Sequence, residues 1–240
     1  MGRPERGSWR HVRLHRAGEY PEAQRARRDA ANTLHGRRMN GLVLVVDDDI
    51  SVRESLDHLI RTSGWQSETY ASAQAFLARP RTVVPSCLVL DVSLPDLNGL
   101  DVQKRLGPDR GDLPIIFISG HADIPTTVRA MKAGAVEFLI KPLSHEALLT
   151  AIEGAVNRSR AALQQQAGME ELRARYASLT GRERQVMTLV VSGLLNKQIA
   201  GELHISEITV KAHRGKVMRK MRAGSVADLV KMSARLGPDN

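Results

Sequence analysis

LVLVVDDD, residues 42–49, carries the decision about architecture: five consecutive apolar residues run directly into three carboxylates. A run that short and that continuously apolar reads as a strand buried on both faces, because a strand with one wet face alternates polar and apolar side chains. The pattern repeats along the chain. Strand-like Leu42–Val46, Gln66–Tyr70, Cys87–Leu90, Ile115–Ile118 and Val136–Ile140 alternate with helical Ser51–Arg61, Ala71–Ala78, Leu100–Leu106, Thr126–Ala133 and Ser144–Val156. Five strand–helix pairs predict a doubly wound parallel α/β sheet over residues 41–157, covered by helices on both sides.

On either side of that domain the composition changes. Residues 1–40 hold ten Arg and four acids, without helical or strand periodicity, and are expected to be a disordered basic extension. Either translation begins at Met39 or the arm contacts nucleic acid nonspecifically. Residues 158–176 are rich in helix formers and poor in large apolar groups, as in a helical linker. Residues 177–240 have no strand pattern; Thr180 and Glu183 have capping-box spacing, and Asn196 and Ser206 are further N-cap candidates. Three or four short helices are expected there, the size of a helix-turn-helix module.

Net charge is +9, distributed as +6 over residues 1–40, −3 over 41–160 and +6 over 177–240. Two basic ends point to a polyanionic partner. No apolar run approaches the roughly 20 residues that span a bilayer, so no membrane partner is expected. The single cysteine, Cys87, makes no internal disulfide and reads as a core residue, in keeping with a cytoplasmic protein.

In an open parallel sheet, reactive groups gather beyond the carboxyl ends of the strands. Asp47, Asp48 and Asp49 follow the first strand, Asp91 ends the third, Ser119 the fourth, and Lys141 follows the fifth. Clustered carboxylates repel one another and favour a hard cation with oxygen ligands, for which Mg²⁺ is the usual choice. Lys141 and Ser119 are placed to meet phosphoryl oxygens. Asp49 alone reads as a helix cap, and His121 and His145 as solvated loop residues.

VVDDD, LVLD followed by LPDLNGLD, IIFISGHAD and FLIKP occur in an order and spacing that resemble the receiver domain of two-component response regulators, a flavodoxin-like (βα)5 fold. SGHADIPTTVRAMKAGAVEFLIKP is similar to the FixJ branch, with TodT and StyR. The resemblance implies that Asp91 is phosphorylated and that Asp48, Asp91 and the Ser93 carbonyl hold Mg²⁺, with Asp47 acting through water. It also implies a hydroxyl–aromatic switch at Ser119 and Phe138, phosphate pairing by Lys141, and a cis peptide before Pro142. Ser119 and Phe138 stand where threonine and tyrosine are common.

Lys211, Arg214, Lys216, Arg219 and Lys220 crowd ten residues with no acid. On a helix from Ser206, Val210, His213, Val217 and Met221 form a buried stripe that leaves Lys211, Arg214 and Gly215 outside it. LTGRERQVMTLVVSGLLNKQIAGELHISEITVKAHRGKVMRKM resembles the LuxR-type helix-turn-helix. The resemblance implies a supporting helix Lys197–Leu203, a turn at His204 and Ile205, and a recognition helix Ser206–Arg222. The candidate DNA contacts are Lys197, Ser206, Thr209, Lys211, Ala212, Arg214 and Gly215.

Together these readings imply a non-enzymatic response regulator. A sensor histidine kinase phosphorylates Asp91, the chain forms a homodimer, and paired recognition helices bind double-stranded promoter DNA and engage RNA polymerase. Two rivals stand beside it. The first domain is a phosphate-independent dimerisation module, or it is a Mg²⁺-dependent aspartyl-phosphate phosphohydrolase, whose second Asp is here replaced by Ser93.

Overall fold

A computed structural model describes residues 41–81, 83–107, 111–121 and 123–237. The basic extension 1–40 and the alternative start at Met39 lie outside the described residues.

Five parallel strands, β1 (Leu42–Val46), β2 (Gln66–Tyr70), β3 (Ser86–Asp91), β4 (Ile115–Ser119) and β5 (Glu137–Ile140), form one sheet in the order β2-β1-β3-β4-β5. The helices α1 (Ile50–Thr62), α2 (Ala73–Leu77), α3 (Gly99–Leu106), α4 (Ile124–Lys132) and α5 (His145–Ala177) alternate with them. The three inner strands are buried along their whole length, as their unbroken apolar runs require. Successive side chains point to opposite faces. Leu42, Leu44, Val46, Leu88, Leu90 and Phe117 therefore share a core with Phe76, Val102 and Ala130 from α2, α3 and α4. Val43, Val45, Cys87, Val89, Ile116 and Ile118 are buried on the other face, which α1 and α5 cover. β2 and β5 are the edges, and QSETY and EFLI are accordingly the more polar and more exposed strands.

Local chemistry sets the helix starts. Asp49 accepts the Ser51 amide at 2.8 Å and caps α1, as expected. α2 begins two residues later than its periodicity suggested, because Ser72 caps it. Asp96, from the loop after β3, accepts the amides of Ala73 and Gln74 at 3.3 and 2.9 Å at the same helix start.

The helix expected over Ser144–Val156 and the helical linker behind it are one uninterrupted 33-residue helix, α5. Its first half buries Leu148, Ile152, Ala155 and Val156. Ser159 fastens it to the sheet's lower edge, with its buried hydroxyl donating to the Asp112 carbonyl and accepting the Ser86 amide at 2.9 Å. Its last turns do more than space two domains. Leu172 is buried in the core of the C-terminal helices, flanked by Met169 and Tyr176.

That core unites α6 (Gly181–Val191), α7 (Asn196–Glu202), α8 (Glu207–Met221) and α9 (Val226–Leu236). The capping box at α6 is formed: Thr180 Oγ1 accepts the Glu183 amide at 3.3 Å and Glu183 Oε2 accepts the Thr180 amide at 2.9 Å. Ser206 caps α8 as expected. Asn196 does not cap α7, which begins at Asn196 itself with Leu195 in the cap position. Gln198 Oε1 accepts the Leu195 amide at 2.8 Å, which frees the Asn196 side chain for an interhelical bond. α8 stops at Met221, one residue early, because Arg222 turns into the left-handed region at φ 54°.

Candidate functional site

Strand register assembles the first site. Val46 pairs with Leu90, Asp91 with Ile118, and Ser119 with Ile140. The residues that follow or end these strands, Asp47, Asp91, Ser119 and Lys141, therefore emerge at one sheet edge, with Asp48 beside them. Gly99 makes room below: its amide donates to the Val92 carbonyl at 2.9 Å, and a Cβ there would come within 2.5 Å of the Asp91 carbonyl oxygen. Any side chain at 99 would push α3 off the carboxyl end of β3.

Lys141 Nζ lies between two carboxylates, 2.7 Å from Asp47 Oδ2 and 2.6 Å from Asp91 Oδ2. Asp47 is fully buried, Asp91 nearly so, and Asp48 is exposed. Burial pushes the Asp47 carboxyl above its ordinary value, and the negative charge of Asp91 adds to this; bonds from Lys141 and the Asp49 amide only partly offset them. Burial opposes the charge on Lys141, yet its bonds to Asp47 and Asp91 hold its pKa above the ordinary lysine value. The second oxygen of each carboxylate is held by a backbone amide, Asp49 N to Asp47 Oδ1 at 2.9 Å and Ser93 N to Asp91 Oδ1 at 2.8 Å. Asp47, Asp48 and Asp91 each offer an oxygen within 4.8 Å of the others. Three hard oxygen donors, one of them open to solvent, fit an ion such as Mg²⁺ that keeps part of its water shell.

Ser119 is fully buried, and its hydroxyl is turned into its own loop, donating to the His121 carbonyl at 2.6 Å and accepting the His121 amide at 3.2 Å. Phe138 is half-buried, its ring centroid 6.1 Å from that of Phe117. The Lys141–Pro142 peptide is cis, as the resemblance implied. Sequence reading missed Arg53, whose Nη1 donates to the carbonyls of Asp47 and Asp48 at 2.7 and 2.8 Å and clamps the acidic turn. Nothing local in the sequence marks that contact, which depends on α1 folding back over its own cap.

The second site lies on α8. Val210, Val217 and Met221 are buried and His213 is half-buried, so the expected stripe is real. Lys211, Ala212 and Gly215 are exposed on the far side, and Lys197 is exposed on α7. Ser206 Oγ and Thr209 Oγ1 lie 2.8 Å apart and share a hydrogen bond at the helix start. The five-cation run divides, however. Arg214 turns toward α7 and donates to Asn196 Oδ1 at 3.0 Å, and Lys220 pairs with buried Glu183 at 2.7 Å and donates to the Ser178 carbonyl at 2.9 Å. The bond from Lys220, with the Thr180 amide, pulls the Glu183 carboxyl down to about 2.

Residues 43–153 match the response regulator receiver domain, and residues 177–233 match the bacterial regulatory proteins of the luxR family. Nodulation protein W of Bradyrhizobium diazoefficiens is 50% identical over 196 residues, which are 82% of this chain and 86% of that protein. The chain is a two-component response regulator with a LuxR-type DNA-binding domain. TodT of Pseudomonas putida is 46% identical to the regulator over 195 residues, 81% of this chain and 86% of the relative. The solved structure of the response regulator StyR superposes with a TM-score of 0.74 at 46% identity, covering 82% of this chain and 100% of the other. Among the regulator's described residues, no helix is long and apolar enough to cross a membrane.

Proposed function

We propose that the regulator is switched by phosphorylation of Asp91 and that the switch drives dimerisation and sequence-specific promoter binding. The observation that carries the reading is the convergence of Asp47 and Asp91 on Lys141 at the carboxyl edge of the sheet, with an oxygen of Asp48 within 4.8 Å of theirs. Asp91 is the one carboxylate of the three that ends a central strand; its Oδ1 is held by the Ser93 amide and its Oδ2 by Lys141. In the transfer, a carboxylate oxygen of Asp91 attacks the phosphorus of a phosphohistidine on a sensor histidine kinase. The O–P bond forms as the N–P bond breaks, and the departing imidazole nitrogen takes a proton.

Asp48, Asp91 and the Ser93 carbonyl would hold Mg²⁺, with Asp47 acting through water; the bound ion supplies positive charge against the transferring phosphoryl oxygens. Lys141 then exchanges its carboxylate partners for phosphoryl oxygen. Ser119 leaves its bonds to His121 to meet the same group, and Phe138 follows into the space vacated. Ile124, Val128, Met131 and Ile140, exposed on α4 and β5, supply an apolar face for the dimer. Paired α8 helices bind two half-sites of promoter DNA, with RNA polymerase as the downstream partner and activation the expected outcome. In the division we favour, residues 41–157 receive the phosphoryl group, 158–176 link, and 177–240 bind DNA, in a cytoplasmic protein.

Incubation with Mg²⁺ and a small phosphodonor tests this. The wild type should gain one acid-stable, base-labile phosphoryl group and shift toward dimer, and Asp91→Asn should do neither. An Asp91→Asn chain that dimerised like the treated wild type would transfer the reading to the phosphate-independent alternative.

A further inference from the structure

Ile208 is a branched apolar side chain left 79% exposed in the first turn of α8. Isolated exposed apolar residues are ordinary on protein surfaces, so its neighbours must decide whether this one has a use. At 100° per residue, Ile208, Lys211, Ala212, Gly215 and Arg219 fall within a sector of about 100° on the helix. All five are exposed. The sector is centred opposite Val210, Val217 and Met221, so the helix turns this line straight away from its own core.

Two features of the line do nothing for the fold. An exposed isoleucine at the second helical position buries little, and its branched side chain has lower helix propensity than lysine, glutamate or alanine there. Gly215 in mid-helix is destabilising relative to alanine, although a Cβ there would meet nothing within 4 Å. Internal packing demands neither residue. Both are accounted for if a rigid, grooved surface approaches this face closely, with Lys211, Lys216 and Arg219 around it.

From this placement, and resting on the reading of α8 as the helix that enters DNA, we infer that Ile208 reads thymine by apolar contact with its C5 methyl group. That methyl is the apolar mark in the hydrogen-bonding pattern of the major groove. The N-terminal half of a recognition helix lies deepest against base edges. Lys211, three residues on, has the chemistry for guanine O6 and N7, so the two positions divide apolar from polar readout. Small residues at 212 and 215 let the helix lie close enough for a short side chain such as isoleucine to reach the bases.

The test uses the full chain with Mg²⁺ and a small phosphodonor. Duplexes are selected from a random pool, and each thymine of the winning sequence is then replaced in turn by deoxyuridine, which lacks only the methyl. Wild type should lose about 3- to 10-fold in affinity at one thymine of each half-site. Ile208→Ala should lose a similar factor on the unmodified duplex, show no further loss on the deoxyuridine duplex, and melt at the wild-type temperature.

Lys211→Ala separates failure of this inference from failure of the reading beneath it. If Lys211→Ala loses specific binding while Ile208→Ala binds like wild type, or keeps the wild-type sensitivity to methyl removal, Ile208 does not read thymine although α8 faces DNA. Such a result would leave Ile208 for contact with a second protein surface. If neither substitution alters binding, or no duplex is selected at all, α8 is not the reading helix and both ideas fall.

Discussion

Lys141 occupies the electrostatic centre of the receiver, with an ammonium between two buried carboxylates that repel each other without it. Replacing it with methionine should cost about 2–4 kcal/mol in the absence of divalent ions, since the charges left behind are nearly out of water. Mg²⁺ should raise the melting temperature of Lys141→Met more than that of wild type, because in wild type the ion competes with the ammonium for Asp47 and Asp91. Equal Mg²⁺ responses would place the ion elsewhere. Glu183 is the corresponding residue in the DNA-binding domain. Its folded pKa, about 2, lies below the ordinary 4.5, so its contribution is complete above pH 4.5 and is lost as pH falls toward 2. Glu183→Gln should lower stability at pH 7 by about 1–2 kcal/mol and flatten the acid limb of the C-terminal melting curve between those values. Parallel acid limbs in the two proteins would mean that the ion pair with Lys220 is electrostatically idle.

At the scale of elements, the inner strands were legible because burial on both faces leaves an unmistakable run of apolar residues, and α1, α6 and α8 because their cap residues are local. The carboxylate edge was legible for the same reason: in a parallel sheet, the residue after each apolar run lands at a known edge. What escaped depends on distant partners. Asp96 caps α2 from over twenty residues away, and Arg53 reaches the carbonyls behind Asp47 only after α1 has formed. The continuity of α5 escaped because its apolar residues serve one core in the first half and another in the second, so no single stripe runs its length. The helical stripe sets Arg214 with Lys211 on the outer face of α8, yet Asn196 claims Arg214, and buried Glu183 claims Lys220. Consequently, Lys216→Ala and Arg219→Ala should each reduce the salt dependence of DNA binding by about one unit where they meet a phosphate. Lys220→Ala should lower the melting temperature of the domain and leave that slope nearly unchanged. A loss of slope in Lys220→Ala equal to that in Lys216→Ala would show that the Glu183 pair opens on DNA.

For the whole molecule, charge constrains how a phosphoryl group can promote DNA binding at all. Residues 41–160 carry −3 and residues 177–240 carry +6. Phosphorylation of Asp91 would replace one carboxylate charge with a phosphoryl group of about two, a net gain of about one negative charge in the acidic half. Electrostatics alone therefore makes the phosphorylated monomer a slightly poorer ligand for a polyanion, and the effect is muted at physiological salt by a screening length of about 8 Å. In the dimerisation reading proposed above, the gain comes from joining two DNA-binding domains, which turns the second half-site contact into an intramolecular event. The phosphorylated regulator should therefore bind an isolated half-site no better than the unmodified chain, and slightly worse at low salt. On two half-sites spaced for a symmetric dimer it should bind at least tenfold more tightly, and the advantage should disappear when the half-sites are moved half a helical turn out of phase. Titrations of single, paired and dephased sites, with and without phosphodonor, measure all three quantities. An equal gain on the isolated half-site would mean that phosphorylation acts within one chain, through a changed relation between Asp91 and α8 carried by the shared helix α5, and dimerisation would then be a consequence of DNA binding instead of its cause.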